Sequence, residues 1–307
     1  METYTVRWCL GSTLVNLTQD IDLMEKQEVT IQIKTAADLT LPQLTSLFND
    51  GYAGYIVPVN VNEAYVSNHI HQFDVRLDLS PVAISNDRPV GFAFLAVRGV
   101  QSWVAGVGIV PDYRKQGIGR MLMLELFERA RTAGLASVQL EVIVGNEAAH
   151  KLYESVRMRD TRRVLVLERL PADIALTVWD GVIEESDVEK ALSVYEALHS
   201  SANPWQRQPE SIRKMQPSVT AWLACQNDNV VSYVIGSFSD ERISIIDVGV
   251  DPAQSAALTA LLTTLHNQHS QARATLTNLD EHDPAWPVFE ALGYRARLSQ
   301  DEMQIDL

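Results

Sequence analysis

The sequence predicts a mixed α/β chain built from two related copies, and three observations predict it. From Ser102 to Leu126 an apolar strand-like run ends at Pro111, passes into a basic, glycine-containing turn, and continues as a helical pattern. The nineteen residues from Leu140 align without a gap on the nineteen from Leu276, so that Glu154 meets Glu290 and Met158 meets Tyr294. With 307 residues, 46% hydrophobic and 21% charged, the chain is long enough for two domains that each bury a core.

Taken in order, residues 1–27 hold a strand pattern from Tyr4 to Leu10 and a polar stretch, an extension of unassigned role. Val29 to Lys34 reads as a strand, and Leu41, Leu44, Leu47 and Phe48 give the apolar face of a helix. Asn49 to Asp78 is rich in aromatics and histidine (Tyr52, Tyr55, Tyr65, His69, His71, Phe73) and reads as a second helix with a mixed face. Pro81 to Ser85 and Val90 to Val97 form a hairpin across the turn-rich Asn86 to Pro89. The helix after Pro111 runs to about Thr132, supported by Glu125 and Arg129 four apart and stopped at Gly134.

Val138 to Val144 alternates only partly, which predicts a strand buried on both faces. A helix begins at Asn146, a strand covers Val164 to Leu167, and Leu170 to Asp173 is the best boundary. Beyond it, a strand at Leu176 to Trp179 and a helix around Val188 to Leu198 repeat the opening. Gln206 to Gln216 reads as a polar helix, Ala221 to Ala224 and Val230 to Gly236 as a hairpin, and Arg242 to Val250 as a strand ending in Asp251-Pro252.

The net charge of −14 excludes a nucleic-acid partner. Residues 1–170 carry 17 basic and 19 acidic side chains against 8 and 20 in residues 171–307, so only the first part tolerates a polyanionic cofactor. No run has the ~18 apolar residues of a membrane span, and no signal-type segment opens the sequence. No membrane partner and a cytoplasmic location are the expectations. Cys9 and Cys225 are two unrelated thiols, and no histidine stands at zinc-ligand spacing from them; no metal is expected.

The chemistry starts between Arg114 and Arg120. Gly117 and Gly119 leave backbone N–H groups bare at a helix start, and Arg114, Lys115 and Arg120 add cations where the helix dipole is already positive. An anion resolves that misfit, and a phosphate chain fits. A solvated strand-to-helix turn is the plainer alternative. The turn has neither a third glycine nor a Gly-Lys-Ser/Thr, so it matches no nucleotide motif.

Arg114-x-x-Gly117-x-Gly119 after a strand ending in Pro111 resembles the pyrophosphate loop of the GNAT superfamily of acyl-CoA-dependent N-acetyltransferases. Asn146 to Glu154 resembles the same family's Asn-x-x-Ala-x-x-Leu-Tyr-Glu signature. The resemblance implies two tandem GNAT-like domains, each a mixed, mostly antiparallel sheet flanked by helices, over residues 28–170 and 171–307. It implies acetyl-CoA as co-substrate, held by Arg114, Lys115, Gln116, Gly117, Ile118, Gly119 and Arg120. The backbone of Ile109 and Val110 would pair with the pantetheine arm, and Asn146 would bond the cofactor or hold the strands apart.

Tyr153 matches the tyrosine that protonates the departing thiolate in many members; a packed core tyrosine is the alternative. Glu141 resembles the general base of the protein N-terminal acetylating branch, against a solvated or salt-bridged carboxylate. A water chain could replace it. The resemblance also makes Asn49 to Asp78 the wall of the acceptor site. One departure is Arg157-Met158 where the family has Gly-Phe, which predicts a different helix exit from that at Gly293-Tyr294.

In the second copy Thr277, His282 and Phe289 replace Glu141, Asn146 and Tyr153, and no glycine lies between Pro252 and Leu292. That copy is expected to be degenerate and non-catalytic. The expected reaction is acetyl transfer to a primary amine of a small molecule or peptide, by a monomer or homodimer. The rivals are a tandem acyltransferase of thiol-cofactor synthesis, as in mycothiol synthases, and a non-catalytic acyl-CoA sensor.

Overall fold

The structure is a computed structural model that describes residues 3–6 and 29–307. Most of the N-terminal extension, Cys9 included, lies outside the described residues. Two compact units emerge. Among the described residues, one holds those up to Ile70, Val75–Val138 and Leu307; the other holds His71–Asp74 and Gln139–Asp306.

In the first unit, β1 (Thr3–Val6), β2 (Val29–Thr35), β3 (Pro81–Ser85), β4 (Arg88–Arg98) and β5 (Gln101–Ile109) lie side by side in chain order, each antiparallel to the next. Asn86 and Asp87 take positive φ, so β3 and β4 join through a two-residue turn of the kind that suits strand twist. Helix α1 (Leu41–Gly51) starts at a capping box between Thr40 and Gln43 and buries Leu44, Leu47 and Phe48. It meets β5 backbone to backbone: a Cβ on Gly108 would stand 2.6 Å from the Phe92 ring and 3.1 Å from the Gly51 Cα, so only glycine fits. Helix α2 (Glu63–Gln72) buries Val66 alone, as its mixed face predicts. Helix α3 (Ile118–Thr132) buries Leu122, Met123, Leu126 and Phe127, carries the Glu125–Arg129 pair at 2.8 Å, and is followed by Gly134 at φ 74°.

The second unit begins with β6 (Ser137–Ile143), α4 (Glu147–Ser155), β7 (Arg159–Arg169) and β8 (Val182–Ser186). Then follow the short helices α5 (Val188–Leu192), α6 (Tyr195–Leu198) and α7 (Pro209–Arg213). It continues with β9 (Thr220–Gln226), β10 (Asn229–Phe238), β11 (Arg242–Val250), α8 (Ser255–Gln268), β12 (Arg273–Asp280), α9 (Trp286–Ala291) and β13 (Arg295–Asp306). Its strands lie in the order β6-β13-β7-β12-β11-β10-β9-β8. β11 and β12 are parallel, while β7 is antiparallel to both β12 and β13. Helix α8 covers this sheet with Leu258, Leu261, Leu262 and Leu265, each at most 1% exposed.

The internal repeat holds in three dimensions. β12 starts 136 residues after β6, and β13 starts 136 residues after β7. In the β7–β13 ladder Arg295 faces Glu168 and Gln304 faces Arg159, and the same shift converts one pair into the other, so the two strands are related by a local two-fold. The division by contact falls at Val138/Gln139, whereas the repeat counts Gln139 to Leu170 with the first copy. The two differ because β7 has a strand of the second copy on either side.

Four expectations change. Leu176 to Trp179 forms no strand, and β8 opens the second copy instead. The helix expected over Val188 to Leu198 is broken in two, with Val194 outside helical geometry at φ −110° and ψ 9°. The stretch read as polar from Gln206 begins in a buried 3₁₀ turn, where Trp205 and Arg207 are 0% and 1% exposed. Val138, Leu140 and Val142 of β6 are buried but the residues between them are only half-buried, so one face, not both, is sealed.

The helix exit after α4 also differs from expectation. Arg157 adopts φ 71°, as Gly293 does at 89°, and the same bonds close both ends: Met158 N to Tyr153 O at 3.1 Å, Tyr294 N to Phe289 O at 3.0 Å. The backbone is shared, and the arginine bears the left-handed strain that glycine avoids. Arg157→Gly is expected to stabilise the protein by about 0.5–1 kcal/mol, after the added freedom of the unfolded chain is discounted, as measured by urea denaturation.

Candidate active site

The first unit holds the turn between β5 and α3. Pro111–Tyr113 forms a 3₁₀ turn, Lys115 takes φ 59°, and Gly117 caps α3 at φ 76°. No side chain caps α3 and its first turn holds no acidic residue. The leading N–H groups therefore need an outside acceptor, and the helix dipole makes an anion the favourable one. A Cβ on Gly117 would meet nothing within 4 Å, so the approach to these amides is open. Gly117, Lys115 and Arg120 are exposed and Ile118 is buried, which holds the loop by its inner side. A pyrophosphate fits this donor set.

Arg114 has a different task. Its Nε donates to Ile109 O at 2.8 Å and a terminal nitrogen to Gly51 O and Ala53 O at 3.1 and 2.6 Å, which ties the loop to the end of α1. Gln116 Nε2 donates to Asp112 O at 2.8 Å and tightens the turn. The Val110 N–H donates to Val90 O at 3.0 Å and is engaged within the sheet, so the pairing edge expected of Val110 is not offered by its amide. Ile109, one residue earlier, directs its carbonyl to the opposite side, where it accepts from Arg114, and its own N–H points the same way.

An aromatic group lies in the same unit. Phe48 is 4.9 Å from Tyr52, Tyr52 is 5.2 Å from Tyr55, and Tyr65 stacks on His69 at 6.2 Å. β5 carries a bulge at Ala105, whose carbonyl accepts from His69 Nε2 at 3.0 Å. That contact fixes the proton on Nε2. Burial pushes the His69 pKa down, so the ring is neutral near pH 7.

The second unit, taken by itself, holds Glu141, Asn146 and Tyr153. Glu141 is half-buried on β6, and its Oε2 accepts from Gln206 Nε2 at 3.2 Å. The Asn146 side chain accepts from Ala149 N at 3.3 Å and starts α4, so its oxygen is already in use as a cap. Tyr153 is the buried residue of α4, 8% exposed. Phe289, its equivalent, is fully buried and packs edge-on against Tyr294 at 4.8 Å. Among the described residues, His150, Asp160 and Asp301 gather three metal-type ligand atoms within 4.8 Å of one another. Asp160 accepts from His150 at 3.0 Å and Asp301 pairs with Arg163 at 2.9 Å, so these contacts are internal.

The second copy holds a buried charge cluster between β11 and β12. The bulge of β5 at Ala105 recurs at Ile246 of β11, 141 residues on, the spacing that also separates Pro111 from Pro252. β11 and β12 pair only from Arg242/Arg273 to Ile245/Leu276. Beyond that, the Arg207 guanidinium bridges them, donating to Val248 O at 3.4 Å, Asn278 O at 3.1 Å and Asp247 Oδ1 at 2.8 Å. Asn203 and Tyr233 also donate to Asp247, at 3.0 and 2.7 Å, and His199 lies 3.4 Å away. Burial pushes the Asp247 carboxyl up, but the charges of His199 and Arg207 outweigh it and hold it below the carboxylate range. Burial opposes protonation of His199, and Asp247 reverses that and raises it. This cluster gave no signal in the sequence beyond single charges in apolar surroundings.

Residues 43–157 match the family model described as the acetyltransferase (GNAT) family. N-alpha-acetyltransferase 30 of Schizosaccharomyces pombe is 30% identical over 106 residues, which cover 32% of this chain and 70% of that protein. The chain belongs to the GNAT family. The [ribosomal protein bS18]-alanine N-acetyltransferase of Salmonella typhimurium is 35% identical over 72 residues, 24% of this chain and 49% of that protein, so the chain spans about half the length of such relatives. A tandem GNAT protein from the clavulanic acid biosynthesis pathway has the same fold over 91% of this chain and 98% of its own, with a TM-score of 0.62 at 16% identity. The GNAT match runs from α1 through α4 and includes both the loop and Tyr153. Among the described residues, no helix is long and apolar enough to cross a membrane.

If the open helix start holds the pyrophosphate, Gly117→Glu places a carboxylate and a strained backbone there. Calorimetry with acetyl-CoA should then show no measurable binding, while circular dichroism shows an intact fold.

Proposed function

We propose that this chain transfers the acetyl group of acetyl-CoA to a primary amine, with residues 28–170 as the catalytic copy and 171–307 as a copy that neither binds coenzyme A nor catalyses. The observation that carries the reading is the uncapped, glycine-led start of α3, with Lys115 and Arg120 beside it, in a chain of the GNAT family. Acetyl-CoA would supply an activated thioester. The first-copy amides would bind its phosphates, and Ile109 would align the pantetheine arm.

The residues then divide the proton work. An acceptor amine must lose a proton to become nucleophilic, and Glu141 is the carboxylate to take it. Tyr153 would deliver a proton to the departing sulfur from its buried place on α4. Two curated relatives are named for acetylation at an alanine and at N-alpha positions, which favours a peptide N-terminus as acceptor. The acidic balance of the chain favours a cationic acceptor in the same direction.

The second copy supports this division by its own chemistry. Asp247 stands where the first copy has Gly106, and Arg207 occupies the gap between β11 and β12. Titration of the whole protein with acetyl-CoA is expected to give one site per chain; two sites would refute the assignment. Tyr153→Phe should slow coenzyme A release with an alanine-starting peptide on the order of 10²-fold while leaving acetyl-CoA affinity nearly unchanged. A Tyr153→Phe enzyme as fast as the parent would return Tyr153 to a packing role.

A further inference from the structure

Gln206 belongs to the second copy, in the buried turn before α7, yet its side chain reaches the Glu141 carboxylate of the first copy. We propose that Gln206 is a positioning residue for Glu141, so that the copy without a phosphate loop completes the acid–base apparatus of the other. The inference rests on the reading of Glu141 as the base.

The hydrogen bonds have only one consistent direction. An ionised carboxylate only accepts, so the Gln206 amide nitrogen must face Glu141 Oε2, at 3.2 Å. Its oxygen then faces Asn278 Nδ2, also at 3.2 Å, and Asn278 Oδ1 is left to accept from Gln300 Nε2 at 2.5 Å. Turning any one amide over would set donor against donor or acceptor against acceptor. The charge on Glu141 therefore orders three side chains, and they in turn fix the direction in which its carboxylate is held.

Both chain neighbours of Gln206 are anchored. Arg207, 1% exposed, is bonded to Asp247 and to Asn278 O, so the backbone of Asn278 and that of Gln206 are held to the same buried ion pair. Trp205, fully buried, donates from Nε1 to Phe73 O at 2.9 Å. Phe73 ends the aromatic segment expected to wall the acceptor site, and Lys214 holds Asp74 and His71 O beside it. One short stretch of the second copy thus grips both the proposed base and the end of the proposed wall. A base works only within hydrogen-bond reach of the proton it removes, and a side chain held by a buried framework keeps that geometry without reorganising.

The test uses the full chain, acetyl-CoA and an alanine-starting peptide as the acceptor probe. Gln206→Leu is expected to lower kcat on the order of tenfold, with KM for acetyl-CoA changed less than about twofold. In a Glu141→Gln background the same substitution should cost nothing further, because its effect passes through Glu141. An equal loss in both backgrounds, or a parent-like Gln206→Leu enzyme beside a slow Glu141→Gln one, would overturn the proposal. A Glu141→Gln enzyme as fast as the parent would overturn the base assignment instead. A readout that needs no acceptor is the carbon-13 titration of the Glu141 carboxyl: its midpoint should rise in Gln206→Leu, since a donor to the charged form is lost. An unmoved midpoint in a folded variant would also overturn the proposal.

Discussion

The ladder between β7 and β13 is the constraint on which the second unit depends. Each strand ends one copy of the repeat, and each lies between strands of the other: β13 beside β6 and β7, β7 beside β13 and β12. Neither copy could keep its last strand alone, because β7 without β12 and β13 would leave a row of unpaired backbone groups on both edges. Side chains reinforce the ladder. Arg162 pairs with Glu302 at 2.8 Å and with Asp280 at 3.3 Å, and all three are largely shielded from water. A second copy that has lost its phosphate loop is therefore still required as sheet.

The two copies share a backbone and diverge in what occupies it. The strand bulge, the proline after it, and the left-handed exit of the last helix recur in both copies, although Thr277, His282 and Phe289 replace Glu141, Asn146 and Tyr153. Gly106 has no side chain after the first copy's bulge, and a Cβ there would stand 3.0 Å from the Tyr52 hydroxyl, whereas Asp247 brings a charge that must be compensated. An isolated buried carboxylate is very costly, and a guanidinium, two further donors and the His199 ring 3.4 Å away offset that cost. The Arg207–Asp247 cluster thus bridges β11 and β12 where their pairing ends and orders the segment around it.

That ordering has a functional side. Residues 203–214 carry the buried ion pair inward and present Gln206, Trp205 and Lys214 to first-copy residues. Rigidity in the second copy and geometry at the proposed base become the same property. The first-unit loop is built differently: Arg114 spends its donors on backbone carbonyls, so its charge shapes the loop while bare amides and Lys115 face outward.

Much of this was written in local sequence. The α3 start was legible because glycine and proline act through their own backbone, and the repeat because nineteen aligned residues kept strand and helix periods in phase. The strands at Pro81–Ser85 and Arg242–Val250 followed from apolar runs bounded by turn residues. The misses were of another kind. Leu176 to Trp179 has strand propensity but no strand follows, since pairing depends on a free neighbour and not on side chains alone. Arg157 reads as a broken helix exit, yet the end bonds of α4 impose the conformation. Gln206 and Arg207 read as part of a polar helix and Asp247 as one charge within a strand, and the burial of Arg207 and Asp247 was decided only when β11, β12 and the turn before α7 met. Local pattern fixes which segments are strands, helices and phosphate-type loops; which charge finds a partner, and which copy keeps an opening, is set by residues tens of positions apart that share no local signal.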